Sequence, residues 1–291
     1  MENVKVSVII VTWNVKELLR ANLARLFTLG AALPPDFKIE VFVVDNGSHD
    51  GTAAMVREEF PKANLITNDW DAGFAGPNNQ AMRLARGEVV ILLNPDMLVA
   101  PGALEAAYDA LMSDRSLGVV GIKLLDHKGK PVNSVRRLPD VWSQLSILLK
   151  LGKLFPRLLR HYQWNDFDYM SSQDVPQVRG SFFAFRRELL DTVGYLDPGY
   201  HIWFEEVDFC RRVVAAGMRV RYLSEATARD YVGRGVSQMK RLETQRIFSA
   251  SMIRYFRKHH PGWQPWALTV ARPIGLALAA AADGVNWLRG K

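Results

Sequence analysis

"VKVSVIIVTW", residues 4–13, is a β-branched apolar run, and "NVKELLRANLARLF", residues 14–27, follows it with leucines at helical spacing. Valine and isoleucine crowd a helix and suit a pleated strand, whereas leucine recurring every three or four residues marks one helix face. The pair reads as a strand feeding a helix, and the pattern repeats. "IEVFVVDNGS" (39–48) predicts a strand ending in turn residues, and "DGTAAMVREEF" (50–60) a helix. "NLIT" (64–67) is a short strand, "GPNNQAMRLARG" (76–87) a helix closed by Gly87, and "EVVILLNPD" (88–96) a buried strand stopped by Pro95. Strands alternating with helices in this way make βαβ units and hence a parallel sheet. Ligands of such sheets collect at the carboxyl ends of strands. The polar residues just past each strand are therefore the ones to inspect: Thr12, Asn14, Asp45, Asn46, Asn94 and Asp96.

Past residue 100 the texture changes. "PGALEAAYDALMSD" (101–114) predicts a helix, and "LGVVGIKLLD" (117–126) and "GKPVNSV" (129–135) predict strands joined by a turn. The stretch at 142–164 is rich in leucine and basic residues and holds no acid, which suits an amphipathic helix or an ordered surface loop. A strand runs into a helix at 178–194, a helix spans 204–217 and stops at Gly217, and "MRVRYLS" (218–224) is a strand. One more helix, about 237–259, and an apolar stretch follow.

With 48% hydrophobic and 23% charged residues in 291, the chain can build a real core, and global disorder is excluded. The single cysteine, Cys210, cannot form an internal disulfide, as expected of a reducing compartment. The N-terminal run lacks the basic flank of a signal peptide and reads as a first strand. Charge is uneven. Residues 226–291 carry eleven Lys/Arg against three Asp/Glu, and the other 225 residues carry 26 against 27, so the net +7 is a basic tail on a near-neutral body. Such a tail suits an acidic partner or a solvated helix face.

"HIWFEEVDFCRR" (201–212) places three acids behind two rings. At about 100° per residue with Glu206 at zero, Val207, Cys210, Val213 and Val214 share its side, the apolar face. Glu205 and Asp208 fall toward the polar side with Arg212, where helix-dipole and local ion-pair effects account for them. Glu206 has no such account. An acid turned inward at a helix start is partly desolvated and poised as a base. Elsewhere, Asp45 leaves a strand where it can accept from a base or a ribose. Asp50 and Thr52 read as a helix cap. Asp96 follows five apolar residues and a proline, and a divalent cation is one partner that such an acid takes. The loop at 68–82, rich in Gly and Asn, can approach a nucleotide through its backbone.

Taken in order, "VSVIIVTWN", "VVDNGSHDGT", "AGFAGPNNQAM", "LLNPDMLV", "VRGSFFAFRR", "VGYLDPGYHIWFEEVDFCRRVVAAG" and "GRGVS" resemble the family 2 glycosyltransferases, in particular the rhamnosyltransferase-like bacterial members. The resemblance runs from about residue 4 to 237. It implies an α/β GT-A fold: a Rossmann-like, mostly parallel central sheet flanked by helices. Residues 1–100 would form the nucleotide-sugar half, 101–225 the acceptor half, and 226–291 a basic C-terminal helical extension. It implies that Thr12, Asn14, Asp45, Gly73, Asn78 and Asn94 bind the nucleotide and that Asp96 holds a divalent metal, Mg²⁺ or Mn²⁺. Glu206 would be the general base, with Asp197, Trp203 and Glu205 on the acceptor side. The implied reaction is an inverting transfer from a nucleoside diphosphate sugar to a hydroxyl of a glycan or lipid-linked glycan. The expected donor is dTDP-rhamnose; a UDP-sugar transferase and a non-catalytic nucleotide-sugar-binding protein are the alternatives.

Three departures from the family pattern stand out. Asn94 replaces the first acid of the metal motif. Glu206 stands where Asp is more usual. The segment 226–237 has no His, so Asp230 is the candidate further metal ligand. Asn78 stands where some UDP-sugar members carry Arg, which favours a thymidine-type nucleotide. The apolar residues 266–288 contain Arg272, Pro273 and Asp283, leaving too short a run to span a bilayer. With Trp266 and Trp287 they suit an interfacial helix or a subunit contact in a homo-oligomer, and 142–164 can share that surface. The expected location is the cytoplasm, at the inner face of the cytoplasmic membrane. No nucleic-acid module is present in the tail, so no nucleic-acid partner is expected.

Overall fold

Four parallel strands form as the β-branched runs predict: Val4–Thr12 (β1), Lys38–Asn46 (β2), Asn64–Asn68 (β3) and Val89–Leu93 (β4). Helices Lys16–Ala32 (α1), Thr52–Glu59 (α2) and Ala75–Met82 (α3) connect them. The structure, a computed structural model, describes residues 4–231 and 239–288. The "GRGVS" segment at 233–237 and the side chain of Trp287 lie outside what is described.

The chain continues through Met97–Val99 (β5), Ala103–Ser113 (α4), Leu117–Leu125 (β6), Val135–Arg136 (β7), Val141–Leu148 (α5) and Pro156–Gln163 (α6). Gln173–Asp174 (β8), Gln177–Val178 (β9), Phe182–Arg186 (β10), Leu189–Thr192 (α7), Glu205–Ala215 (α8) and Arg219–Asp230 (β11) follow. Arg241–His259 (α9) and Trp263–Leu288 (α10) are the last elements described. Among the described residues the main sheet runs β3-β2-β1-β4-β10-β6-β11-β5, with β8 on β11, and β7 pairs with β9 separately. β10 runs antiparallel between β4 and β6, with Phe182 opposite Leu93. The start of β10 therefore lies beside the carboxyl end of β4, and the two ends share one rim.

Alternation along β1 explains the layers. Val6, Val8 and Ile10 face α1 and α4, packing on Leu19, Leu23 and Leu104. Ile9 faces the other way, into the layer that includes Met82, Phe183, Phe209 and Cys210. Each such side chain, fully buried, contributes about 1.5–3 kcal/mol. A third cluster joins Val141, Phe204, Val207, Tyr255, Phe256 and Leu268, so α5, α8, α9 and α10 share their own core.

Several expected boundaries move. α3 stops at Met82. Gly87 does not cap it; a Cβ there would sit 2.5 Å from the Ser7 nitrogen, so the close approach of the bend before β4 to β1 requires glycine. The strand expected at 129–135 shrinks to β7, while the one at 218–224 extends to Asp230. A domain boundary at 225/226 would cut β11, which pairs with β6 and with β5. The 142–164 stretch is two short α-helices with a 3₁₀ turn at Leu151–Lys153 between them, because Lys150 takes a left-handed conformation and Pro156 starts α6.

Candidate active site

A cavity of about 230 Å³ opens at this rim. The end of β1 contributes Thr12 and Trp13, the turn after β4 contributes Asn94 and Asp96, and the approach to β10 contributes Arg179 and Ser181. Asp71, Gly73 and His201 form one wall, and Trp203, Glu205 and Glu206 another. The Asn94 nitrogen donates to the Ser181 carbonyl (3.0 Å), and its side-chain amide to Ser181 Oγ (3.3 Å). The antiparallel entry of β10 thus places Ser181 against the β4 turn.

Glu205 and Glu206 begin α8 behind an unusual turn. Trp203 and Phe204 both have positive φ, 67° and 72°, a region that bulky side chains rarely adopt. The turn is held from behind by α9. Phe248 lies 5.9 Å from the Trp203 ring and 5.6 Å from that of Phe204, and Ser251 Oγ donates to the Ile202 carbonyl (2.9 Å). Helix α9 is therefore part of the site's frame.

Both glutamates meet the cavity. Glu205 is 4% exposed, and the Oε2 atoms of Glu205 and Glu206 have no hydrogen-bond partner among the described residues. Thr12 Oγ1, on the same cavity, has none either. Buried polar atoms are nearly always satisfied, so such atoms lining one space mark a place where something polar binds. Burial pushes the Glu205 carboxyl well above the usual range, and the charge of Glu206 adds to this. Burial also raises Glu206, while the nearby Arg136 and Arg179 charges pull back. A carboxyl raised in this manner is suited to proton transfer near neutral pH.

Glu205 and Asp208 are not on a solvated face. Asp208 is 0% exposed. Arg212 Nε donates to it (2.8 Å), Lys258 lies at 2.8 Å, and His259 Nε2 at 2.6 Å. The helical wheel placed these acids toward a polar side of α8, but Glu205 is enclosed at the cavity wall and Asp208 is covered by α9, whose basic end supplies its partners. Val214, expected inside, is 49% exposed.

The other expected residues divide. Thr12, Asn94, Asp96, Gly73 and Trp203 line the cavity. Gly73 has φ 77°, and a Cβ there would lie 2.2 Å from the His201 carbonyl oxygen. Its glycine thus permits the close contact with the 201–204 turn. Asp45, opposite Thr12 in register, does not line the cavity, and its Oδ1 accepts from the Ser48 nitrogen (3.2 Å). Asn14 Oδ1 accepts from the His49 nitrogen (2.8 Å), fastening the loops after β1 and β2. Asp50 fastens these loops too, accepting from the nitrogens of Lys16 and Thr52. Asn78 is turned back on its own helix, donating to the Phe74 carbonyl (2.8 Å). Asp197 is not on the cavity: Arg254 (2.8 Å) and Lys258 (3.3 Å) of α9 take its carboxylate.

Sequence reasoning missed Arg179, Asp71 and His201. Asp71 and His201 form an ion pair at 3.4 Å that joins the 69–74 loop to the turn before α8. Asn46 supports this loop by donating to Asp71 Oδ1 (2.6 Å). The acid and glycine of "DWDAG" were the available signal, but their partner lies 130 residues away.

For a cation, the donor set is sparse. Among the described residues no three His, Cys, Asp or Glu side chains come together as a cage. Asp230 sits opposite Met97, beside Asp96, but its carboxylate accepts from Arg179 (2.9 Å). Of the carboxylates lining the cavity (Asp71, Asp96, Glu205 and Glu206), Asp96 with the Asn94 amide nearby fits a hard cation that would take its remaining ligands from phosphate oxygens.

Comparison with known proteins accords with this architecture. The model of "Glycosyl transferase family 2" matches residues 7–194. The N-acetylglucosaminyl-diphospho-decaprenol L-rhamnosyltransferase of Mycobacterium tuberculosis is 26% identical over 214 residues, covering 69% of each chain. Among solved structures, a mannosyltransferase from Pyrobaculum calidifontis in complex with GDP-Man and Mn²⁺ superposes with TM-score 0.59 at 23% identity, over 97% of this chain and 76% of that one. S. aureus TarS 1-349 in complex with UDP-GlcNAc gives 0.53 at 20% identity, over 86% and 66%.

Proposed function

The chain belongs to glycosyl transferase family 2, and from that premise we propose an inverting transfer, with Glu206 as general base, from a nucleoside diphosphate sugar to a glycan hydroxyl. The observation that carries this reading is the position of Glu206. It lies on the wall between the 230 Å³ cavity and a second cavity of about 160 Å³. A donor in the first and an acceptor in the second would meet at its carboxylate.

Glu206 takes the proton of the acceptor hydroxyl. The oxygen attacks the anomeric carbon from the side opposite the nucleotide, the bond to the diphosphate breaks, and the anomeric centre inverts in one displacement. Burial, and after it the charge of Glu206, push the Glu205 carboxyl well above its ordinary value, which favours Glu206 as the member of the pair that ionises. Thr12, Asn94 and Ser181 hold the donor at the rim. Asp96, with Asn94 beside it, would hold Mg²⁺ or Mn²⁺, which neutralises charge on a departing diphosphate.

The transferred sugar is proposed to be rhamnose and the acceptor a lipid-linked glycan, by analogy with the mycobacterial relative's name; dTDP as the carrier rests on Asn78 standing where some UDP-sugar members carry Arg. A membrane surface fits such an acceptor. The segment Trp263–Gly284 is long and apolar enough to cross a membrane, since the helix continues through Pro273. Yet Leu268 and Ala271 are buried in the third core cluster, Arg272 bonds Ser249 (3.0 Å), and Asp283 accepts from the Leu242 nitrogen at the start of α9 (2.9 Å). Its other face exposes Trp266 (72%), Val270 (69%) and Ile274. We therefore propose that α10 lies along the inner face of the cytoplasmic membrane and does not cross it.

A thermal-shift panel of nucleotide sugars, with Mn²⁺ and with chelator, tests the donor reading. Stabilisation by a diphosphate sugar that depends on Mn²⁺ and is lost in Asp96→Asn supports it. Absence of stabilisation by any diphosphate sugar refutes it.

A further inference from the structure

A third cavity, of about 440 Å³, shares no lining residue with the other two and lies where α5, α9 and α10 meet. Lys150, just past α5, lines it together with Arg241 and Gln245 from the first two turns of α9 and Leu278, Ala279 and Ala282 of α10. Two cations thus border one space, and neither Lys150 nor Arg241 forms an ion pair among the described residues. The acid at this end of α9, Asp283, is taken by the backbone nitrogens of Arg241 (3.3 Å) and Leu242 (2.9 Å). Burial, and after it the charge of Arg241, lower the Lys150 ammonium from its ordinary value. Lys150 Nζ donates to Gln245 Oε1 (2.6 Å), which leaves Gln245 Nε2 a donor with no acceptor among the described residues, on a residue only 4% exposed. A buried donor left unmade costs about 1–3 kcal/mol, so it marks a place where an acceptor binds. Two cations and an unmade donor together suit an anion with several acceptor oxygens, such as a phosphate.

The apolar part of the lining narrows the kind of phosphate. Leu278 is 43% exposed and continues, at i+4 spacing, the exposed row Trp266, Val270 and Ile274. The row therefore runs along α10 into the cavity. Leu154 and Phe155, four and five residues past Lys150, are exposed too, and Arg157 and Arg160 follow them on the surface. A free phosphate would gain nothing from the apolar row. A zwitterionic headgroup brings its own cation and has less need of two more. A phosphate with net negative charge, tethered to acyl chains, matches both the charges and the row. We infer that this cavity binds the phosphate of an anionic phospholipid, with Lys150, Arg241 and Gln245 holding the phosphate and the α10 row lying among the acyl chains. The inference rests on the reading that α10 lies on a membrane, and adds to it the class of lipid and the residues that select it.

Co-sedimentation of the full chain is measured with vesicles of phosphatidylcholine alone and of phosphatidylcholine with an equal share of phosphatidylglycerol. Calorimetry adds dihexanoyl phosphatidylglycerol, kept below its micellar concentration, and inorganic phosphate. The unaltered chain should prefer the anionic vesicles and bind the short-chain lipid more tightly than inorganic phosphate. Lys150→Gln should weaken both lipid interactions at least about tenfold, the loss of one charge-assisted bond. Arg241→Gln, on an exposed side chain, repeats the test should Lys150→Gln disturb the turn after α5. Arg157→Gln removes a charge outside the cavity; it should weaken vesicle binding only about fivefold, as for one surface charge, and leave the short-chain lipid unchanged. Equal losses in Lys150→Gln and Arg157→Gln overturn the inference, as does inorganic phosphate binding as tightly as the short-chain lipid, or no binding of that lipid. Equal binding to both vesicles overturns it while the membrane reading of α10 stands; binding to neither removes both.

Discussion

Replacing Asp208 by Asn separates two pictures of α8. If Asp208 were a solvated partner of Arg212 four residues on, its loss would cost about 0.5 kcal/mol or less. In the structure it is fully enclosed, with Arg212 at 2.8 Å, Lys258 at 2.8 Å and His259 at 2.6 Å. Removing one member of a buried ion pair costs 3–5 kcal/mol, and asparagine keeps one acceptor, so about 3 kcal/mol is expected. At roughly 2 °C per kcal/mol for a chain of this size, the melting temperature should fall by about 6 °C.

The pH dependence has a definite sign. Burial pushes this carboxyl up, but the bonds from Lys258 and His259 and the charge of Arg212 outweigh it and hold it below its ordinary value of 3.8. Its stabilisation is therefore present above pH 3.8 and is lost as pH falls through the depressed native value. Urea unfolding of both chains should show the gap at pH 7.5, persisting to about pH 5 and closing below about 3.8. A shift under 1 °C at pH 7.5 would refute the view that α9 clamps α8.

Two further substitutions probe the cavity walls. Glu205 has its carboxyl raised by burial and by Glu206, so the neutral form is favoured; that stability is full below the ordinary 4.5 and is lost as pH rises through the native value. Glu205→Gln should accordingly raise the melting temperature by a few degrees at pH 8 and leave it unchanged at pH 4, as calorimetric scans at the two pH values will record. Gly73→Ala places a Cβ against the His201 carbonyl at positive φ. It should cost at least about 1–2 kcal/mol and weaken donor binding, measured by urea unfolding and by thermal shift; full stability would mean the 69–74 loop is not packed as described.

The parallel half of the fold was legible because its signals are local. β-branched runs at 4–13, 39–48 and 88–96 and the helices between them carry their periods in the chain itself. That Thr12, Asn94 and Asp96 line the cavity was legible for the same reason, since they follow strand ends, though Asn14 and Asp45, picked by the same rule, do not line it. Glu206 lines the cavity, but the helical wheel that singled it out did not separate it from its neighbours, since Glu205 and Asp208 are the more deeply buried. What a wheel cannot supply is the identity of the neighbour. Asp208 reads as a surface acid and Asp197 as an acceptor-side acid until α9, about 50 residues on, brings Arg254, Lys258 and His259 to them. Asp71 and His201 likewise have meaning only as a pair. Nor does any local rule announce positive φ at Trp203 and Phe204, where packing from Phe248 overrides intrinsic preference.

The central claim is that Glu206 removes the acceptor proton. The most direct test is nucleotide release by Glu206→Gln, measured with the donor sugar that stabilises the unaltered chain and with acceptor present. The account predicts that donor binding is retained while turnover falls by about 10²–10⁴. It also predicts that the unaltered enzyme's rate rises with pH through a value above the ordinary glutamate range, because burial raises this carboxyl. A Glu206→Gln chain that keeps more than about a tenth of the turnover, a loss far below that expected for a general base, would contradict it.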